Sequence, residues 1–201
     1  MSPSRPGIEF WYDFASTYSY LSAMRIERLA EAAGVGVMWR PFLLGPIFAA
    51  QGWNTSPFKL YPAKGRYMVR DIERIAAERG LAFALPARFP QNSLLAARIA
   101  LVGCDEGWVA PFTRAAYEAQ FARGADIADR ALLRSLLDGL GLDSNTILAR
   151  AEDDTNKQRL RQQTAAAEVL GIFGAPTFVV ARELFWGDDR LEQALSWARR
   201  T

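Results

Sequence analysis

Two serines three positions apart, Ser16 and Ser19, stand where an alternating apolar run (Ile8, Phe10, Tyr12) gives way to helical spacing. A side chain at the start of a helix sits beside free backbone N–H groups and the positive end of the helix dipole. That environment stabilises an anion, a thiolate included. An activated oxygen nucleophile is not available: the chain has no histidine, which excludes a Ser-His-Asp triad, a Cys-His pair and any His-containing metal site. Asp13 is the one carboxylate close to the pair in sequence. The single cysteine, Cys104, rules out an intramolecular disulfide and a dithiol pair. Ser16 can, however, donate a hydrogen bond to a thiolate carried by another molecule. Such a donor shifts a thiol of pKa roughly 8.5 toward its reactive form. Serine is equally a common helix N-cap, and this stretch alone leaves both roles open.

A second candidate lies near the other end. In "FGAPTFVV", Pro176 stands directly before an apolar run, with Gly174 two residues earlier. Proline at a strand start costs no ladder hydrogen bond, and a cis form turns the chain sharply. A cis turn would leave the N–H and C=O of Ala175 free for an extended ligand to pair alongside. An ordinary trans turn fits the same residues.

The elements that must carry these residues can be read from periodicity. Residues 7 to 14 alternate as a strand. Ser22, Ile26, Leu29, Ala30 and Ala33 then recur at helical spacing up to a stop at Gly34, and Val35, Val37 and Trp39 alternate up to Pro41. This is a βαβ unit, joined by a right-handed parallel crossover. Residues 42 to 63 form a Gly/Pro-punctuated connection. From about Lys64 to Leu170 nearly every segment is helical: a stripe of Met68, Ile72, Ile75 and Ala76 ended by Gly80, a helix capped by Asn92 or Ser93, and helices over 109 to 122, 129 to 139, 144 to 152 and 154 to 170. The tail reads as two short strands, Thr177 to Val180 and Glu183 to Trp186, and a helix over 189 to 199. The order βαβ, helices, ββα predicts an α/β fold: a thioredoxin-like sheet domain with a large all-helical insertion. Residues 1–63 and 171–201 make the discontinuous sheet domain and 64–170 the insertion.

Composition narrows the function classes. The chain has 201 residues, 50% of them apolar and 23% charged, a net charge of +2 and a pI near 8.8. Lys and Arg are dispersed, without the basic block that nucleic acids attract. The N-terminal segment has no apolar signal core and no apolar run is long enough to span a bilayer. The expectation is a cytoplasmic protein with no nucleic-acid or membrane partner and no metal.

Six stretches in order resemble one family: "DFASTYSYL" at 13 to 21, "RPFLLGPIF" at 40 to 48, "YPAKGRYMVRDIER" at 61 to 74, "FPQNSLLAAR" at 89 to 98, "GIFGAPTFVV" at 171 to 180 and "FWGDDRLE" at 185 to 192. The sequence resembles the 2-hydroxychromene-2-carboxylate isomerases and their relatives the kappa-class glutathione transferases, of the DsbA-like branch of thioredoxin folds. The resemblance implies glutathione as cofactor, bound in the thioredoxin-like part and covered by the helical insertion. It places Ser16 on the glutathione sulfur, Asn54 and Lys64 on the tripeptide with Lys64 suited to the glycyl carboxylate, Ala175 before Pro176 on the cysteinyl backbone, and Asp188 and Asp189 on the γ-glutamyl end. Complementary charges favour that orientation. Each residue also has a plainer role open to it, Lys64 as a solvated helix start and the two aspartates as a helix cap. Many relatives have proline after the active serine, where this chain has Thr17; both residues open helices.

The activity so implied is glutathione-dependent isomerisation of 2-hydroxychromene-2-carboxylate or a similar unsaturated aromatic acid in aromatic catabolism: thiolate addition, bond rotation, then elimination, with glutathione not consumed. A kappa-class transferase would use the same site without the elimination. A binding or chaperone module that has lost its redox cysteines is the non-enzymatic alternative. The resemblance further implies a homodimer. Trp53 and Tyr67 could line an aromatic pocket or serve as core. Cys104 reads as a buried small hydrophobe at a helix end. Lys157, Arg159 and Arg161 read as a solvated face.

Overall fold

A computed structural model describes residues 6–53 and 55–201. Strand β1 (Gly7–Tyr12) lies inside a four-stranded sheet of order β2-β1-β3-β4, where β2 is Gly36–Pro41, β3 is Thr177–Val180 and β4 is Glu183–Trp186. β2 runs parallel to β1, with Phe10 opposite Trp39. β3 runs antiparallel to β1, with Phe10 opposite Phe178, and β4 antiparallel to β3. Alternation along β1 sends Ile8, Phe10 and Tyr12 into the main core and Trp11 into a second cluster with Phe42, Ile47, Ala167, Ile172 and Val179. Both faces of the sheet are therefore covered, as a strand pairing in parallel requires.

The helix expected after Ser16 is two helices, α1 (Thr17–Ala23) and α2 (Ile26–Ala33). The chain breaks at Arg25, whose φ of −132° leaves the helical region. Its guanidinium instead reaches Asp188 Oδ1 at 3.3 Å and the Asp188 carbonyl at 2.7 Å. Local periodicity cannot register an ion pair to a residue so distant in sequence. Gly34 ends α2 at φ 70°.

The stretch read as a bare connection contains α3 (Leu44–Ala50) and α4 (Pro57–Leu60), and α5 (Pro62–Glu78) begins within it. Its prolines are not breaks. Pro46, Pro57 and Pro62 all sit in the first turn of a helix, where the missing N–H has no intrahelical acceptor to lose.

The remaining helices are α6 (Leu94–Glu106), α7 (Val109–Tyr117), α8 (Arg130–Gly139), α9 (Ser144–Ala151) and α10 (Asp154–Val169). α7 runs on into a π-helical turn, Glu118–Ala122. Side chains of Asp129, Asp143 and Asp153 cap α8, α9 and α10. At the N-terminus of α6 it is Asn92 Oδ1 that accepts, from Leu94 N at 3.0 Å, and the Ser93 side chain makes no cap bond. β3 and β4 are joined through Ala181 and Arg182, both at positive φ, as a tight hairpin demands. A 3-10 turn, Asp188–Arg190, then leads into α11 (Leu191–Ala198). No described helix is long and apolar enough to cross a membrane.

Sheet and helices share one core. Tyr117 packs on Tyr12 and Phe14, with ring centroids 6.4 and 5.2 Å apart, and the Tyr12 hydroxyl lies 2.9 Å from Thr113 Oγ1. The sheet and the α6–α7 helices are thus packed through large buried aromatics, whose area dominates such contacts.

Candidate active site

The turn after β1 is organised by Asp13. Its Oδ1 accepts from Ala15 N at 2.8 Å, its Oδ2 from Leu44 N at 2.7 Å, and its carbonyl from Ser16 N at 2.9 Å. Burial pushes the Asp13 carboxyl above its ordinary pKa, against the pull of Leu44 N, Ala15 N and the Ser93 side chain. Asp13 is buried and turned into the loop, so its work is to shape the turn that delivers Ser16.

Ser16 has extended backbone angles, φ −93° and ψ 118°, and its Oγ accepts from Ser19 N at 3.2 Å: it is the N-cap of α1. The same hydroxyl donates to Ala175 O at 2.8 Å, across 159 residues. Ser19 is fully buried, so the second serine of the pair faces the core. Thr17 is also buried, its Oγ1 3.5 Å from Met68 Sδ of α5, so the residue in place of the family's proline is a packing residue.

Opposite Ser16, the Ala175–Pro176 bond is cis. The Ala175 carbonyl, expected to be free, is bonded to Ser16, while no acceptor among the described residues meets Ala175 N. The loop is braced: Thr177 Oγ1 donates to Gly174 O at 2.8 Å and Gly187 N to Pro176 O at 3.0 Å. Gly174 lies against the Trp186 indole, where a Cβ would come within 2.3 Å of Nε1. Trp186 in turn meets Phe173 edge-on at 4.9 Å, and both rings are half exposed.

The two aspartates differ. Asp188 is 3% exposed and its carboxylate is engaged by Ser22, Arg25 and Arg79. The Asp189 side chain is 72% exposed, with Arg190 at 3.5 Å. Only Asp189 presents an accessible carboxylate. Lys64 lies exposed in the first turn of α5 with its Nζ 5.0 Å above the Tyr61 ring, and it makes no ion pair among the described residues. Asn54 lies outside the described residues.

The fold therefore gathers Ser16, Ala175, Pro176 and the turn bearing Asp188 and Asp189, and sets Lys64 on the helix that packs against α1. Sequence reading missed Tyr18, Arg25 and Arg79. The Tyr18 hydroxyl donates to Asp71 Oδ2 at 2.8 Å, and burial first, then Asp71, raises its pKa. Tyr18 lies in the first turn beside Ser16, which is a readable signal; the arginines carry none. Trp53 packs on Phe48 and Tyr67 is exposed. Cys104 donates to Trp39 O at 3.4 Å, and burial pushes its thiol up to about 12. Of the expected solvated face only Arg161 is exposed; Lys157 and Arg159 are half-buried and paired to Asp154 and Asp105.

Known proteins share this fold. The 2-hydroxychromene-2-carboxylate isomerase of Sphingobium xenophagum is 30% identical over 186 residues, covering 92% of this chain and 94% of its own. Glutathione S-transferase kappa 1 of Rattus norvegicus is 24% identical, covering 96% and 90%. A solved structure of a 2-hydroxychromene-2-carboxylate isomerase superposes with a TM-score of 0.86 at 26% identity over 96% of this chain and 95% of that one. The profile of the DSBA-like thioredoxin domain matches residues 7–196, and the chain belongs to that family, alongside the 2-hydroxychromene-2-carboxylate isomerases and kappa-class glutathione transferases.

Proposed function

We propose that this protein is a glutathione-dependent isomerase acting on 2-hydroxychromene-2-carboxylate or a similar unsaturated aromatic acid. The observation that carries the reading is the 2.8 Å contact between Ser16 Oγ and Ala175 O, which brings a hydroxyl donor and a peptide-pairing edge together in a relative of named isomerases. When bound, glutathione supplies a thiolate able to add reversibly to a carbon conjugated with the substrate's carboxyl-bearing centre, so that a double bond becomes single, rotates and re-forms.

The residues present fit that tripeptide. Among the described residues, Ala175 offers an N–H without an acceptor and a carbonyl held only by a rotatable hydroxyl. An incoming backbone N–H that takes Ala175 O displaces the Ser16 hydroxyl, which keeps its proton and turns the O–H to donate a hydrogen bond to a sulfur. Ser16 then favours the ionised thiol. Lys64 is the partner for the glycyl carboxylate and Asp189 for the γ-glutamyl ammonium. Asp188, with its carboxylate already engaged, supports the turn instead; Asn54 is assigned to the tripeptide on the family resemblance. Cys104, expected to be buried, is only partly so, but its thiol is held well above its ordinary pKa and bonded to Trp39 O, which makes it a poor source of the sulfur.

The kappa-class relatives favour a second reading, transfer of glutathione to electrophiles at the same site. Thiol bookkeeping separates the two. Purified protein with 2-hydroxychromene-2-carboxylate is expected to complete many turnovers per glutathione with full recovery of free thiol, and none without it. Stoichiometric thiol loss with an accumulating conjugate would establish the transferase. Turnover without thiol would refute both, and no turnover together with no glutathione binding would leave a binding module.

A further inference from the structure

A cluster of charges that the proposed chemistry does not use surrounds Asp188. Its Oδ1 accepts from Ser22 Oγ at 2.8 Å and from Arg25 Nε and one terminal Arg25 nitrogen at 3.3 Å each; its Oδ2 accepts from Arg79 at 2.7 Å; its carbonyl accepts from Arg25 at 2.7 Å. Glu192 takes a further Arg25 nitrogen. The donors come from α1, from the break between α1 and α2, and from Arg79 at the C-terminal end of α5. Desolvating such a group offsets much of the Coulombic gain, so the cluster is a poor source of stability; what it does is tie α1, the break after it and the end of α5 to the turn bearing Asp188.

The geometry it fixes leads to the site. Gly187 has φ 111°, and a Cβ there would lie 2.6 Å from Asp189 Oδ1, so the Asp189 carboxylate folds back over this glycine. Gly187 N donates to Pro176 O, and the neighbouring Ala175 O receives Ser16 Oγ. A continuous run of bonds thus connects Arg79, through Asp188 and the turn after β4, to Ala175 and Ser16.

We propose that Arg79 and Arg25 are positioning residues that act through Asp188, holding Asp189 at the spacing from Ala175 that the γ-glutamyl end of glutathione requires. This rests on the glutathione reading above. The cluster sets which thiol is accepted: one bearing an ammonium beyond its cysteinyl amide gains from it, and one without that group does not.

The test is calorimetry on the full chain with two thiols, glutathione and N-acetylcysteinylglycine, which keeps the amide but lacks the γ-glutamyl ammonium. Arg79→Leu is expected to weaken glutathione about three- to tenfold, at most the loss of the exposed Asp189 contact itself, and to leave N-acetylcysteinylglycine within about twofold. Arg79→Lys and Arg25→Lys, which keep the charge, are expected to recover part of the loss, and Arg79→Lys carries the test if the leucine variant does not fold. Equal loss for both thiols would reduce the cluster to a structural role, and unchanged glutathione affinity would remove it. Wild-type protein that binds neither thiol would overturn the glutathione reading and this proposal with it, whereas wild-type binding with unaffected variants would overturn the positioning role alone.

Discussion

Tyr117, the last residue of α7, donates its hydroxyl to the carbonyl of Asp13 at 2.9 Å, so a helix far along the chain steadies the turn that presents Ser16. Both groups are buried, and the same carbonyl also accepts from Ser16 N. Tyr117→Phe is expected to cost about 1 kcal/mol of stability, the net worth of one buried hydrogen bond. Because the bond ends on the Ser16 turn, turnover should fall a few-fold as well. Urea unfolding and kcat on the same preparation check both, and unchanged kcat would separate the bond from the site.

Ser16 carries two separable roles. Losing the cap bond to Ser19 N should cost Ser16→Ala about 1 kcal/mol of stability. Losing the donor to a developing thiolate should lower kcat on the order of a hundredfold, with glutathione affinity nearly intact. A variant that shows the stability loss with wild-type turnover would leave Ser16 as a helix cap and nothing more.

Lys64 and Asp189 are both exposed, so water screens whatever they bind. Lys64→Ala and Asp189→Ala should each weaken glutathione by about three- to tenfold, and the loss should shrink as ionic strength rises. Calorimetry at two salt concentrations measures this. Unaltered affinity in both variants would reverse or abolish the proposed orientation of the tripeptide.

Burial, with Asp105 adding to it, moves the Cys104 thiol from an ordinary 9.0 to about 12. The unfolded chain therefore releases this proton near pH 9 while the folded chain keeps it. Between those values the unfolded state binds fewer protons, so stability falls as pH rises. The stability of the wild type relative to Cys104→Ala should decline between pH 8 and about pH 10.5, read by urea unfolding at each pH. Native protein at pH 8 should resist iodoacetamide, and Cys104→Ala should keep its glutathione-dependent turnover.

Elements ruled by residues within one turn of one another were legible in the sequence. β3 and β4 fall on the short runs rich in β-branched and aromatic residues at Thr177–Val180 and Glu183–Trp186, Gly34 stops α2, and Ser16 caps α1, because strand composition, a left-handed stop and a cap bond are all local. The six family stretches carried the fold across the rest. Every partner beyond that range needed tertiary structure. Periodicity could not break the first helix at Arg25, because the break is held by Asp188. It read Pro46 and Pro57 as punctuation, because a proline in the first turn of a helix differs from a loop proline only in the path taken by the next few residues. It could not rank Asp188 against Asp189, adjacent residues of one type, because burial is decided by whether Arg25 and Arg79 arrive. The Ser16 hydroxyl was placed at a helix start by its neighbours, but its meeting with Ala175 O required the sheet to close across 159 residues, and only chain closure selects which donor finds which acceptor.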